Sequence, residues 1–308
     1  MNKLIEVHEL YRYYNAHCAV NNVSFQLEKG QILGFLGPNG AGKSSTMQMI
    51  CGNLAPTSGE IRITGIDMLE DPRGAKRALG YLPETPPLYS ELTVDEYLDY
   101  CARLHQVPAG QRREAVTSAR ERTGLADTGS RLIGHLSKGY QQRVGIAQAI
   151  VHNPQVVILD EPTVGLDPVQ IREIRELVRE LGREHGVILS THILPEVQEV
   201  CTHVQIINRG KMVLSTSIEG LAQNMDAGSM VFATQQPVDS AMIMSVEGIR
   251  QIENLSQCRY RIYFDRNRNP APALAARVVD AGWGLIEMTP EKLNMEQIFI
   301  DLTKGDLS

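Results

Sequence analysis

A chain that carries Gly37-Pro38-Asn39-Gly40-Ala41-Gly42-Lys43-Ser44 directly after the apolar run Ile32-Leu33-Gly34-Phe35-Leu36 has little freedom in how it folds. The octet fits G-x-x-x-x-G-K-[ST], the preceding run reads as a buried strand, and Ser44 to Ile50 can open a helix. Strand, glycine-rich loop and helix together make a phosphate cradle. Gly37, Gly40 and Gly42 let the backbone turn tightly, so that successive N–H groups face inward on an anion. The helix N-terminus adds partial positive charge, Lys43 can reach β- and γ-phosphates, and the Ser44 hydroxyl can ligate Mg²⁺. Residues 39–45, Ala41 and Ser45 included, are expected to hold the phosphates, with Gly37 and Pro38 also in contact with the nucleotide.

A second run completes such a site. Val156-Val157-Ile158-Leu159-Asp160-Glu161 is an apolar strand that ends in two acids and is followed by Pro162. Parallel strands buried on both faces read as continuous apolar runs, and ligands sit at their carboxyl ends. Asp160 is therefore expected beside the Mg²⁺ held by Ser44, and Glu161 facing the γ-phosphate. Two adjacent carboxylates need a cation or a proton to relieve their repulsion, and Mg²⁺ supplies the cation.

Between these runs lies Leu136-Ser137-Lys138-Gly139-Tyr140-Gln141-Gln142-Arg143. Ser137 can cap a helix that begins near Gly139, and that helix end offers N–H groups to an anion. Here the chain resembles the ATP-binding subunits of ABC transporters, whose LSGGQ run occupies this place. Leu136, Ser137 and Gly139 match it; Lys138 and Tyr140 depart from it. Further elements follow in the family's order over residues 4 to 218. Gly165-Leu166-Asp167 resembles the loop through which two subunits sense each other. His192, after Val187-Ile188-Leu189-Ser190-Thr191, resembles the histidine that contacts the γ-phosphate. Tyr14 falls where the family stacks an aromatic ring on adenine, with Tyr11 and Tyr13 as neighbours that could serve instead. Where the family has a glutamine, Gly80-Tyr81-Leu82-Pro83-Glu84 places a glutamate, which can still ligate Mg²⁺ or orient water.

The resemblance implies an α/β P-loop NTPase with a RecA-like parallel core and antiparallel β and helical subdomains. It implies ATP and Mg²⁺ as cofactors, Glu161, His192 and Lys43 in catalysis, and Ser137 and Gly139 closing the site of a second ATP-binding subunit in a homodimer. It also implies a polytopic transmembrane permease as partner, reached from the cytoplasmic face of the inner membrane.

Composition fits this expectation. Net charge of −6 over 308 residues gives no general attraction to nucleic acid. Five cysteines are scattered without a C-x-x-C pair, which favours a reducing compartment. Met1-Asn2-Lys3-Leu4-Ile5-Glu6 lacks the apolar core of a signal peptide, and no apolar run approaches the roughly 20 residues that cross a bilayer.

The length suits two domains, expected over 1–219 and 220–308. In the first, 4–9, 20–27 and 60–63 alternate as strands, 85–150 is mostly helical, 171–184 is a charged amphipathic helix, and 204–208 with 211–215 form a closing hairpin. In the second, strands at 229–234, 249–254, 259–264 and 285–288 alternate with helices at 238–246, 271–281 and 295–302. That βαββαβ order predicts a small ferredoxin-like α+β module with no catalytic constellation. Met242, Met244 and Met295 are expected in its core or contacts. Leu293 to Thr303 resembles the tail of subunits that serve ABC-2-type transporters of the gliding-motility branch, and Ile298, Phe299 and Leu302 would form an apolar helix face there. Two other function classes are weaker fits. A membrane-independent ABC-type ATPase acting on ribosomes or DNA would carry two phosphate loops or a long coiled-coil insertion. A P-loop kinase would leave Ser137-Lys138-Gly139 and His192 without a purpose.

Overall fold

Alternating apolar residues start the chain as a long hairpin. Strands β1 (Lys3–Tyr14) and β2 (His17–Glu28) pair antiparallel around a turn at Asn15, whose φ is +53°. Both run well past the expected bounds, because register shifts near Val7, Leu10 and Arg12 reset the inward face along the strand. β3 (Ile32–Leu36) is buried at every position and leads into α1 (Lys43–Ile50). β4 (Ser58–Ile63) and β5 (Ile66–Asp67) extend the hairpin into a four-stranded antiparallel sheet of order β2-β1-β4-β5. α2 (Pro72–Arg77), with Asp71 as its N-cap, then delivers β6 (Leu79–Leu82) to the second sheet.

A helical stretch follows. α3 (Val94–Leu104) opens with a capping box in which Thr93 and Glu96 satisfy each other's backbone N–H groups. α4 (Arg112–Arg122) is held to it by an ion pair from Arg120 to Asp95 at 2.6 Å. α5 (Lys138–Ile150) returns the chain to β7 (Val156–Asp160). α6 (Pro168–Glu184), β8 (Gly186–Thr191), α7 (Leu194–Val200), β9 (His203–Asn208) and β10 (Lys211–Ser217) complete the six-stranded sheet, with order β10-β9-β3-β8-β7-β6. β3, β6, β7, β8 and β9 are parallel, and β10 is an antiparallel edge. The expected closing hairpin is thus more than a hairpin: β9 is a core strand beside β3. Phe25 and Phe35, with ring centroids 5.7 Å apart, join the two sheets through one apolar core.

The computed structural model describes residues 3–223, 227–265 and 268–291. It divides into two compact units, Met1–Ile218 and Glu219–Ser308. After α8 (Ile218–Gln223), the second unit runs β11 (Ala227–Thr234), α9 (Ser240–Met244), β12 (Ile249–Ser256), β13 (Arg259–Asp265), α10 (Ala271–Asp280) and β14 (Leu285–Glu291). Its strands form one antiparallel sheet of order β12-β13-β11-β14, the interleaving of two split βαβ units. Phe232, Ile262, Ile243, Leu274 and Val278 fill the core between sheet and helices. The opposite face is polar, with Arg261 bound to both Glu291 and Glu253. α9 is shorter than expected, since the Asp239 carboxylate caps it at Ala241 and Ser245 ends it. Met242 and Met244 are exposed and Ile243 between them is buried, so those methionines are not core residues. β14 outlasts its expected end through Pro290, which an edge strand tolerates. The expected helix at 295–302, with Met295, Ile298, Phe299 and Leu302, lies outside the described residues. Among the described residues no helix is long and apolar enough to cross a membrane.

Candidate functional site

The carboxyl ends of β3, β8 and β7, neighbours in space and far apart in sequence, bring the expected site residues together. The loop after β3 turns at Gly40 (φ +78°) and Gly42 (φ +103°), and Gly42 serves as N-cap of α1. Gly37 has a different reason to be glycine. A Cβ there would lie 2.4 Å from the carbonyl oxygen of Ile207 on β9. The loop is braced further by Ala41 N–H donating to Pro38 O at 3.1 Å and Gly210 N–H donating to Ala41 O at 2.9 Å. Lys43 is buried, and its ammonium donates to Gly37 O at 2.8 Å and Pro38 O at 3.3 Å.

At the end of β7, Asp160 and Glu161 are both buried. Asp160 Oδ1 has no hydrogen-bond partner in the protein. Burial pushes the Asp160 carboxyl above its ordinary range; the nearby Ser190 and Ser44 hydroxyls oppose that shift, while the charges of Glu161 and Glu84 add to it. A buried carboxylate oxygen with no donor, beside a serine hydroxyl at the start of α1, is a donor set suited to a hard divalent cation. Asn39 and Ser45 flank this region on the loop and on α1, Asn39 exposed and Ser45 half-buried.

Glu161 carries the strained backbone of the site. Its φ is +49°, in the left-handed region that non-glycine residues avoid. Its N–H donates to Ser190 O at 2.8 Å, which ties β7's end to β8. Its carboxylate lies 3.7 Å from the Lys43 ammonium and is met by His192 Nδ1 at 2.9 and 3.0 Å. Lys43, Glu161 and His192 therefore form one contiguous set, brought from three strand ends.

The other expected residues lie at different distances from this set. Tyr14 is exposed; its hydroxyl is 3.4 Å from Ser45 Oγ, and one face of its ring is covered by Arg12 at 4.7 Å. Tyr13 is equally exposed without such a link to α1. Glu84 is exposed just past β6 and reaches the site only through its charge on Asp160. Ser137 caps α5, accepting from Tyr140 N–H at 3.4 Å. Gly139 is buried, and a Cβ on it would lie 2.5 Å from the end of the Gln170 side chain at the start of α6, which would have to swing aside. Neither touches the Lys43–Glu161–His192 set of its own chain. Asp167 caps α6, accepting from Val169 and Gln170 N–H groups.

Three residues of the site were not singled out from sequence: Thr163, Thr191 and Glu196. All are buried; Thr163 Oγ1 donates to Glu196 Oε1, and Thr191 Oγ1 donates to Glu196 Oε2 at 2.9 Å. The available signal was an acid inside a short helix whose Leu194, Val197 and Val200 are apolar and buried.

Comparison with known proteins agrees with this geometry. Residues 20–164 match the family model described as ABC transporter. An uncharacterized ABC transporter ATP-binding protein of Bacillus subtilis is 35% identical over 236 residues, 77% of this chain and 78% of its own. The linearmycin resistance ATP-binding protein of the same organism is 28% identical over 306 residues, 97% of this chain and 98% of its own. A solved ATP-binding subunit of an ABC transporter has a TM-score of 0.66 and 32% identity, over 72% of this chain and 92% of that one. With a glycine-rich loop, a pair of acids and a histidine converging on one set of strand ends, the chain belongs to the ABC transporter family as an ATP-binding subunit, an ATPase.

Proposed function

We propose that this subunit holds ATP on residues 37–45 and hydrolyses it with Glu161 acting on the attacking water, as general base or as its orienting group. The carrying observation is the Glu161 carboxylate at the end of β7, grasped by His192 from β8 and 3.7 Å from Lys43 after β3. Lys43 neutralises charge that develops on the γ-phosphoryl group, and His192 holds both Glu161 and the γ-phosphate end. Ser44 and Asp160 are the residues to hold Mg²⁺, with Glu84 within electrostatic reach. When bound, the ion supplies positive charge to the phosphate oxygens. Tyr14 stacks on adenine from its exposed position beside Ser45. Ser137 and Gly139, remote from their own chain's site, close the site of a second copy, so that ATP favours a closed homodimer and hydrolysis releases it.

The motion is delivered to a polytopic permease at the cytoplasmic face of the membrane. The surface that supports this is formed by the exposed Tyr89 and Tyr100, ring centroids 5.8 Å apart, with Tyr89 resting at 6.0 Å on the buried Tyr97. Glu91, Glu96, Asp99 and Arg103 line the same groove, with Asp99 paired to Arg103 at 2.7 Å, which suits a permease segment that offers an apolar tip. Residues 220–308 serve assembly or regulation, as in ABC-2-type subunits; the linearmycin resistance relative aligns across them as well.

Glu161→Gln tests the central claim. The variant should bind ATP, lose about 10²–10⁴-fold in turnover, and elute as a larger species in gel filtration with ATP. An unchanged rate would remove Glu161 from catalysis. Copurification with a polytopic membrane protein, lost on Tyr89→Ala, tests the docking surface.

A further inference from the structure

The strain at Glu161 must be held by something, and the loop after it is short. Residues 162–167 run from the end of β7 to the cap of α6, with Val164 N–H donating to Glu161 O at 3.3 Å and Leu166 N–H donating to Thr163 O at 3.2 Å. Those local bonds fold the loop but do not anchor it. The anchor comes from α7. Glu196, 1% exposed, accepts the Thr163 hydroxyl on one carboxylate oxygen and the Thr191 hydroxyl on the other. Thr191 also accepts from Ile193 N–H at 3.1 Å, which fixes the turn that carries His192. One buried carboxylate thus ties the loop that follows Glu161 to the turn that presents His192.

Such a residue is an expensive way to fill a core. Burying an ionised carboxylate costs several kcal/mol unless its acceptor sites are met, and among the described residues no cation forms an ion pair with Glu196. Its two hydroxyl donors satisfy it. A leucine at this position would avoid that cost, but it would leave both loops untied.

We propose that Glu196 is a positioning residue for hydrolysis: through Thr163 and Thr191 it holds Glu161 and His192 in their mutual geometry, and it acts only through them. This rests on the catalytic reading of Glu161 given above. Displacement of a reacting group by about 1 Å can cost about a hundredfold in rate, so loss of the tie should appear in kcat and spare ATP affinity, because the phosphate cradle lies on β3 and α1.

The test compares Glu196→Ala, Glu196→Gln and the near-isosteric Thr163→Val in the full chain. Glu196→Ala and Thr163→Val should lower kcat about ten- to a hundredfold while the ATP dissociation constant stays within about threefold. Glu196→Gln, which can accept from one threonine and donate to the other, should recover most of the rate. On a Glu161→Gln background, Glu196→Ala should lower the rate no further. Amide hydrogen exchange over residues 161–167 should quicken in both tie-breaking variants. Wild-type kcat in Glu196→Ala or Thr163→Val, or equal losses in kcat and ATP affinity, would overturn the inference. If Glu161→Gln itself keeps full activity, the catalytic reading fails instead. Exchange over 161–167 then decides the tie by itself, and unchanged exchange in Thr163→Val would overturn it.

Discussion

Gly40 and Gly42 both have positive φ in the phosphate cradle, yet replacing them with alanine should have unequal consequences. At Gly40 an added Cβ meets nothing within 4 Å, so Gly40→Ala carries only the left-handed backbone strain of about 1–2 kcal/mol. At Gly42 the φ of +103° is harder for an L-residue, and the Cβ would lie 2.4 Å from the carbonyl oxygen of Ala19 on β2. That oxygen belongs to a strand and has no rotamer to escape into. Strain of about 1–3 kcal/mol and overpacking of about 1–3 kcal/mol then act together. Gly42 cannot shift freely, because its carbonyl accepts from Thr46 N–H at 3.0 Å and from the Thr46 hydroxyl at 2.8 Å, the first bonds of α1. The loop must leave its phosphate-binding shape instead. Gly40→Ala is expected to weaken ATP binding by about five- to thirtyfold, and Gly42→Ala by more than that, at about 1.4 kcal/mol per tenfold. Calorimetric titration with ATP and Mg²⁺, paired with thermal unfolding by circular dichroism, measures both. Equal affinities in the two variants, or a larger loss at Gly40, would refute the role assigned to the Ala19 carbonyl.

Two other perturbations separate charge from structure. Glu84→Gln removes one of the charges that raise the Asp160 carboxyl, so ATPase activity should stay within about threefold of wild type, since a single neighbouring charge is a minor contributor beside burial; loss of ATP binding in that variant would show that the glutamate charge is itself required. His152 is pushed down to about 4 by burial and by the charge of His105, which stacks on it at 3.7 Å, while its Nε2 bonds Leu79 O. Its folded value lies below the ordinary 6.5, so the unfolded chain takes up the proton first and stability falls as pH drops from about 6.5 towards 4, by about 3 kcal/mol. Denaturant melts across that range should therefore slope downwards with acid, and His152→Gln, which keeps a donor for Leu79 O, should flatten the slope.

The cradle was legible because its demands on residue type are strict: glycine where φ is positive or a carbonyl crowds, lysine for reach, serine at the helix start. The acids after β7 were legible because an apolar run buried on both faces can end in carboxylates only where a ligand or solvent receives them. Residues whose role depends on partners distant in sequence were not. Glu196 looks like any acid on a short amphipathic helix until Thr163 and Thr191 arrive from two other loops. Gly139 was read from sequence as part of an anion-binding helix start, and within its own chain it lies against the side chain of Gln170, thirty-one residues on. The same limit applied to β9. Its hairpin with β10 is local and was read correctly, but its pairing with β3 joins residues about 170 apart and leaves no periodic trace.

The sheet order explains why the site needs a lysine and a glutamate on strands that are not neighbours. β8 lies between β3 and β7, and its Ser190 pairs with Phe35 on one side and Asp160 on the other. Strands lie about 4.8 Å apart, so the ends of β3 and β7 are separated by about 10 Å. Lys43 spans that gap to approach Glu161, and His192, from the intervening strand, meets Glu161 from the second side. β8 therefore sets the width of the site as well as presenting one of its residues. Its own carbonyl at Ser190 holds the Glu161 N–H, so the strained backbone, the spacing of the two flanking strands and the aim of His192 are all referred to one six-residue strand buried at every position. A change that slipped β8 by a single residue would exchange the faces of its side chains and move all three together, whereas a change confined to the loop after β7 leaves the register of β8 and the spacing of its two neighbours in place.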